Sequence, residues 1–444
     1  MAALALTPEQ QTAIDEKAAA QVTLCGRVVS MKAISDAIPG VSRQQVWRHL
    51  SRTIGKGSSG SVVASAEPER VIAPPLAPVP EPDPVELARE RMERQRRIKQ
   101  EREDLHAVAG ERSIRAELQR LARETAEHLA APPPWQPTPA PKGASHETML
   151  LMLSDWHAYE IVSRERTQGF NEYNAEIFAR RSKRIIDRAI SIKQRMEAGG
   201  GWVIDDCVIS ANGDFTSGSI HELERHTDAP NIVMAVYGCA RTLALGLRDL
   251  AAVHRKVSVI CTSGNHGRLP DARKMQKKDP TRNWDTMIYL LAESMLESVP
   301  NVEFFIPDSY VATFDIGEHT FIQYHGQGIR SWMGIPHYGI SRWTRNNKAL
   351  NNERDRKISY YLLSHFHQES SIDSGKTKVN GSLIGGNEYT VEDLNAADAP
   401  SQKMMLVHPE HGIRSDWSLE GDPPRGEPLG ATYPVYPWER RNAS

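Results

Sequence analysis

From about residue 147 onward, short apolar runs alternate with longer segments of helical periodicity. Met149–Leu153, Val203–Ser210 and Val257–Thr262 are nearly continuous in apolar and β-branched residues, the pattern of buried strands. Tyr173–Met196, Asn231–Ala252 and Asn283–Glu297 place apolar residues three and four apart, which predicts amphipathic helices. Val302–Ile306, Tyr310–Ile316, Thr320–Tyr324, Tyr360–Leu363 and Lys376–Ile384 read again as strands. Such alternation predicts a layered α/β fold.

The first part of the chain has a different texture. Thr7-Pro8-Glu9-Gln10 combines an N-cap threonine, a first-turn proline and a capping-box glutamine, so a helix should open there. Met31–Ile38, the turn Pro39-Gly40 and a second capping box at Ser42–Gln45 precede a helix with Val46 and Leu50 on one face. This arrangement resembles a helix-turn-helix, with Arg43, Gln44 and Arg48 placed to read base edges in DNA. A protein-binding helical module is the competing reading. Composition then divides the chain into a 1–55 module, a Gly/Ser/Pro linker over 56–84, a charged helical segment over 85–131, a proline-rich spacer over 132–146, a main domain over 147–412 and an irregular tail over 413–444. The 85–131 segment, with Ile114, Leu118, Leu121 and Leu129 at helical spacing, is expected to be a solvated helix or weak coiled-coil pair; a homodimer through it is the alternative.

Chemistry concentrates in five short motifs, four of them just after an apolar run: Asp155-Trp-His157, Asn212-Gly-Asp214, Gly264-Asn265-His266, His325-Gly326 and His365-Phe-His367. Strand ends running into loops are where α/β sheets hold ligands. Two carboxylates, one amide and five imidazoles suit borderline divalent metals and are too many for one ion, so the set divides into two centres sharing a carboxylate. Asp214 can offer two anionic oxygens to such a pair.

The five motifs, in this order, resemble the calcineurin-like metallophosphoesterase superfamily, including its SbcD-type nucleases. The resemblance implies a β-sandwich flanked by helices. It also implies a first metal on Asp155, His157 and His367, a second on Asn265, His325 and His365, and Asp214 bridging both. Mn²⁺ is the first expectation, with Fe, Zn or Mg as alternatives, and a metal-bound hydroxide would attack phosphorus. His266 matches the family's non-ligand histidine, which protonates the leaving oxygen or stabilises the transition state. His221 and His226 fall where the family places a substrate loop, and Arg268 follows the Gly-Asn-His motif. Two departures, Gly267-Arg268 in place of an acidic residue and Phe215-Thr216-Ser217 after Gly-Asp, look less like monophosphatases. With Val379–Tyr389, they look more like phage or prophage members.

The formal net charge of −2 hides basic clusters at Arg268–Arg282 and Arg342–Lys357. With Trp343 between the arginines, these predict a nucleic-acid track, so a DNA phosphodiesterase or nuclease is the leading reading. Alternatives are hydrolysis of a small nucleotide or phosphoprotein ester, and a DNA-binding adaptor with a structural metal centre. Four scattered cysteines give no zinc ribbon or disulfide framework. No leader or membrane-length apolar run stands out, so a cytoplasmic protein without membrane contact is expected.

Overall fold

The computed structural model describes residues 7–9, 11–14, 38, 46, 116–127, 129–137, 139, 141–218, 227–269, 279–330, 336–392 and 397–435. They belong to two compact units, Met1–Arg91 and Met92–Ser444. In the first, residues 8–9 and 11–14 are helical, and Ile14, Ile38 and Val46 are buried. Arg43, Gln44 and Arg48, with most of the helix-turn-helix-like module, the 56–84 linker and residues 85–115, lie outside the described residues.

In the second unit, β1 (Ser145–His146) and β2 (Thr148–Leu153) lead through a long loop to helix α1 (Ala175–Ala198). Next come β3 (Trp202–Val203), β4 (Asp206–Asn212), α2 (Ile232–Ala251), β5 (Lys256–Thr262), α3 (Trp284–Met295) and β6 (Val302–Phe305). Strands β7 (Val311–Ile316) and β8 (His319–Tyr324) precede α4 (Pro336–Asn352), β9 (Tyr360–Leu363), β10 (Ser370–Ile372) and β11 (Thr377–Val379). The short α5 (Glu388–Glu392) precedes β12 (Ser401–His408) and β13 (Gly412–Glu420). Each of the three long helices on the first sheet starts at an asparagine cap: the side chains of Asn174, Asn231 and Asn283 accept from Ile177, Met234 and Asp285 N–H respectively.

Two sheets face each other. One has the order β13-β12-β2-β4-β5-β6 and the other β10-β11-β9-β8-β7. Strand alternation explains the layers. Met149, Leu151 and Leu153 of β2 join the core shared with α1, α2 and α3, while Leu150 and Met152 pack with Phe321 and Leu362 of the opposite sheet. On the far side of that second sheet, Ile340 and Trp343 of α4 pack against Tyr324, Ile322 and Tyr361. A β-sandwich between helices is therefore the observed architecture of the main domain.

Two expectations change. Residues 413–420, expected to begin an irregular tail, belong with Gly412 to β13, which pairs antiparallel with β12 along the sheet edge. Beyond it, Tyr433 is buried and its hydroxyl donates to Asp249 at 2.9 Å. The expectation came from the prolines farther on, Pro423, Pro424, Pro428, Pro434 and Pro437, and the missed signal was the apolar alternation Ile413, Trp417, Leu419. Likewise Leu118, Leu121 and Leu129, expected on a solvated helix or a dimer seam, are buried in the main core. Tyr237 of α2 hydrogen-bonds Thr125 of this helix. That apolar face already has its partner within the chain.

His254 is fully buried, and its Nδ1–H donates to the Leu250 carbonyl at 2.8 Å. Burial lowers its pKa to about 4. The unfolded chain takes up this proton near pH 6.5 while the folded one resists it until about 4, so this group's stabilisation is complete above pH 6.5 and is lost as pH falls toward 4. His254→Leu is expected to flatten acid unfolding over that window by about 3 kcal/mol, read by urea titration at pH 7 and pH 4.5. An unchanged pH slope would refute this.

Among the described residues no helix is long and apolar enough to cross a membrane.

Candidate metal centre

The parallel ladder holds β2, β4 and β5 in register, with Leu153 opposite Ala211 and Asn212 opposite Thr262. In the second sheet Tyr324 lies opposite Leu363. Every motif therefore leaves its strand at the same edge of the sandwich. Polar side chains lock the two edges together. Gln323 donates to the Ala211 and Ile260 carbonyls, and Asn212 donates to the Tyr324 carbonyl and the Ser364 hydroxyl.

The chain bends sharply at these strand ends. Asp155, His157, Asp214, His365 and His367 have φ between 45° and 75°. Left-handed backbone at residues other than glycine costs about 1 kcal/mol or more each and persists where surrounding contacts hold it. Here they do: Asp155 N–H donates to Gly213 O, His157 N–H to Asp214 O, and Leu383 N–H to Asp155 O. Gly264 is required by close approach, since a Cβ there would lie 2.6 Å from the Asp214 carboxyl carbon.

The strand ends bring together Asp155 with His157 and His367, Asp214 with His325 and His365, and His157 with Asp214 and His266. In each group the ligand atoms lie within 4.8 Å of one another. His157 Nε2, Asn265 Oδ1 and His365 Nδ1 are buried without a hydrogen-bond partner, while Asp155 Oδ1 and Asp214 Oδ2 meet only the imidazoles of His367 and His325, at 3.3 and 2.7 Å. Orphaned polar atoms are costly in a protein interior, and so many in adjoining loops fit a bound cation.

Protonation agrees with that fit. Burial works against the charge on Asp155, but hydrogen bonding with His367 and the nearness of His325 hold its carboxyl below the ordinary range. Asp214 is held well below it by His325 and His266, again against burial. His365 is pushed down to about 3 by burial and by His325, so it is neutral at pH 7. His325 rises to about 9, because the Asp214 carboxylate 2.7 Å away outweighs its burial. A cation binding Asp214 would compete with that proton.

Supporting hydrogen bonds orient the imidazoles. His325 Nδ1–H donates to the Asn212 carbonyl at 2.6 Å, leaving Nε2 to face Asp214. His157 Nδ1 lies 2.8 Å from Ser217 Oγ and 3.5 Å from Glu160 Oε2, and Ser217 in turn donates to Glu160. Ligating histidines are commonly fixed in this way. Ser217, part of the departure from the family pattern, thus orients the candidate ligand His157. Its neighbour Phe215 is fully buried, with its ring 4.7 Å from Trp156 and 5.4 Å from Tyr289.

Several supporting residues carried no motif signal. Asp285, at the start of α3, is wholly buried, and its carboxylate accepts from the backbone N–H groups of Asp214, Phe215 and Gly264 at 2.9–3.0 Å. One side chain thereby ties the two loops that carry Asp214 and Asn265 together. Burial and the Asp214 charge push its pKa up to about 6. Asn380 donates to Ser154 Oγ, which donates to Asp155 Oδ2 at 2.7 Å. The 379–389 stretch, singled out in the sequence without a role, therefore supports the Asp155 loop.

Other candidates fall differently. His266 is in the cluster, with its ring 4.7 Å from that of His157 and its side chain 17% exposed at the mouth. Arg268 lies beside the Tyr310 hydroxyl. His221, His226 and residues 270–278 of the first basic cluster lie outside the described residues. Trp343, expected to stack on a base, is instead stacked on Tyr324 at 5.1 Å. As a large apolar ring facing a sheet it is already covered.

No family model matches the sequence, and no curated protein matches it. Solved structures similar to this chain include YfcE, a phosphoesterase from E. coli, with 13% identity over 61% of this chain and 100% of that one, at a TM-score of 0.24. An archaeal phosphodiesterase has 10% identity over 61% of this chain and 99% of its own, at 0.27. A predicted phosphoesterase from Streptococcus pneumoniae has 12% identity over 61% and 98%, at 0.24. Identity and TM-score are low throughout, and the functional reading comes from the site's own geometry.

Proposed function

We propose that this chain is a calcineurin-like metallophosphoesterase that holds two divalent cations and hydrolyses phosphodiesters, with DNA as the leading substrate. The convergence of three Asp/His groups on one edge of the sandwich, with His157 Nε2, Asn265 Oδ1 and His365 Nδ1 buried and unpartnered among them, carries this reading. Asp155, His157 and His367 would hold one ion, and Asn265, His325 and His365 the other, with Asp214 between them. Bound there, Mn²⁺ or a similar cation lowers the pKa of water and offsets charge developing on the phosphoryl oxygens.

The chain's own groups do the rest. Asp214 Oδ1 accepts the His266 backbone N–H at 2.8 Å, leaving Oδ2 for cations and holding the His266 ring at the mouth. From there His266 can pass a proton to the departing alkoxide oxygen of a phosphodiester. A proton donor positioned this way contributes about 10²–10⁴-fold to rate. His266→Ala should lose DNA cleavage by that factor in Mn²⁺, with a much smaller loss on bis(4-nitrophenyl) phosphate, whose nitrophenolate departs without a proton, while its metal content stays at the wild-type level. Metal loss matching the loss of rate would make His266 a ligand instead. A wild-type protein that binds Mn²⁺ but hydrolyses neither this diester nor DNA would refute the phosphodiesterase reading.

A further inference from the structure

Helix α4 differs from the other long helices in its charge. On α1, Lys183 pairs with Asp187 and Lys193 with Glu197, one turn apart. From Pro336 to Asn352 there is no acidic residue at all. Arg342, Arg345 and Lys348 are exposed and make no ion pair among the described residues, nor do Arg354 and Arg356 in the turn that follows. Tyr338, 64% exposed, stands on the same face as Arg342 and Arg345 at i, i+4 and i+7.

The opposite face of α4 is anchored beside the metal centre. Trp343 stacks on Tyr324, the residue before the candidate ligand His325, and Gly339 approaches the carbonyl of Arg330 in the loop that leaves His325. A side chain at position 339 would collide with that loop, so the approach depends on glycine. Helix α4 is therefore held next to the strand end that carries His325, with its basic face turned outward.

We propose that this outer face of α4 is the track that holds a DNA strand while one of its phosphodiesters reaches the metal centre. The proposal rests on the phosphodiesterase reading of that centre. Unpaired cations concentrated on one helix, in a chain of net charge −2, complement a polyanion, and counterions released from phosphates supply affinity. Tyr338 adds an exposed ring on which a base can stack, the role that Trp343, whose ring is stacked on Tyr324, cannot fill.

The test is binding of a fluorescent oligonucleotide to the full chain across a salt series, with bis(4-nitrophenyl) phosphate hydrolysis measured in parallel. Replacing Arg342, Arg345 and Lys348 together by Gln should make the slope of log K against log salt shallower by about 2–3, at about 0.7–0.9 per lost phosphate contact. Glu353→Lys should steepen it by about one, a gain that misfolding would not produce. Tyr338→Ala should weaken binding about tenfold at unchanged slope. Hydrolysis of the aryl diester should be the same in all of these proteins. A wild-type slope in the triple variant, or no salt-dependent binding by the wild type, would overturn the track. A shallower slope in a protein inert toward the aryl diester would keep DNA on α4 and reject the phosphodiesterase reading alone.

Discussion

Asp214→Asn is expected to lower turnover at least about 10⁴-fold and to reduce metal content from two ions per chain to one or none. Asp214 belongs to two of the three ligand groups, with His157 and His266 on one side and with His325 and His365 on the other. Its Oδ2 faces His325 Nε2 at 2.7 Å, while Oδ1 is taken by the His266 N–H. An amide keeps the shape of the side chain but has only one oxygen and no charge. Either the backbone bond to His266 or the shared ligand position is then lost, and the negative charge that would hold two cations falls. Metal analysis after dialysis against Mn²⁺ and aryl diester kinetics are the measurements. Two tightly held ions with near wild-type turnover in the variant would refute the shared-carboxylate role.

The second large effect is on stability. Asp285→Ala removes the acceptor of three buried backbone N–H groups, those of Asp214, Phe215 and Gly264. Leaving a buried donor unpaired costs about 1–3 kcal/mol, so a loss of about 3–5 kcal/mol is expected in urea unfolding of the metal-free protein. Asp285→Asn should lose less, since its carbonyl oxygen can still serve the two donors that share Oδ2. The loops released by the alanine variant carry Asp214 and Asn265, so weaker Mn²⁺ affinity should accompany the loss. Wild-type stability in Asp285→Ala would show that water or another group satisfies those amides.

The candidate ligands were legible because each of them follows a local pattern. An apolar strand ends, a polar or glycine-rich turn begins, and Asp155, Asp214, Asn265, His325 or His365 stands at the junction. The same holds for α1, α2 and α3, whose periodicity and asparagine caps lie within a single stretch of sequence. Trp343 was misread for a related reason. Its neighbours Arg342 and Arg345 announce a polar surface, but at one residue's offset on a helix a side chain points to a different face, and this one meets Tyr324.

What the sequence by itself determined is the strand-and-turn grammar, the candidate ligands in order along the chain, and the layered α/β class, all of which depend on residues a few positions apart. Only the tertiary structure decided that Asp285 spans two ligand loops, that Asn380 reaches Asp155 through Ser154, that Ser217 and Glu160 aim His157, and that β13 completes the sheet. It alone placed Leu118 and Leu121 in the core and left Tyr338 outside. The physical reason is that a hydrogen-bond acceptor or an apolar side chain carries no local mark of its distant partner. Periodicity shows which face of an element is apolar, whereas packing of remote segments settles what that face, or a buried carboxylate, finally meets.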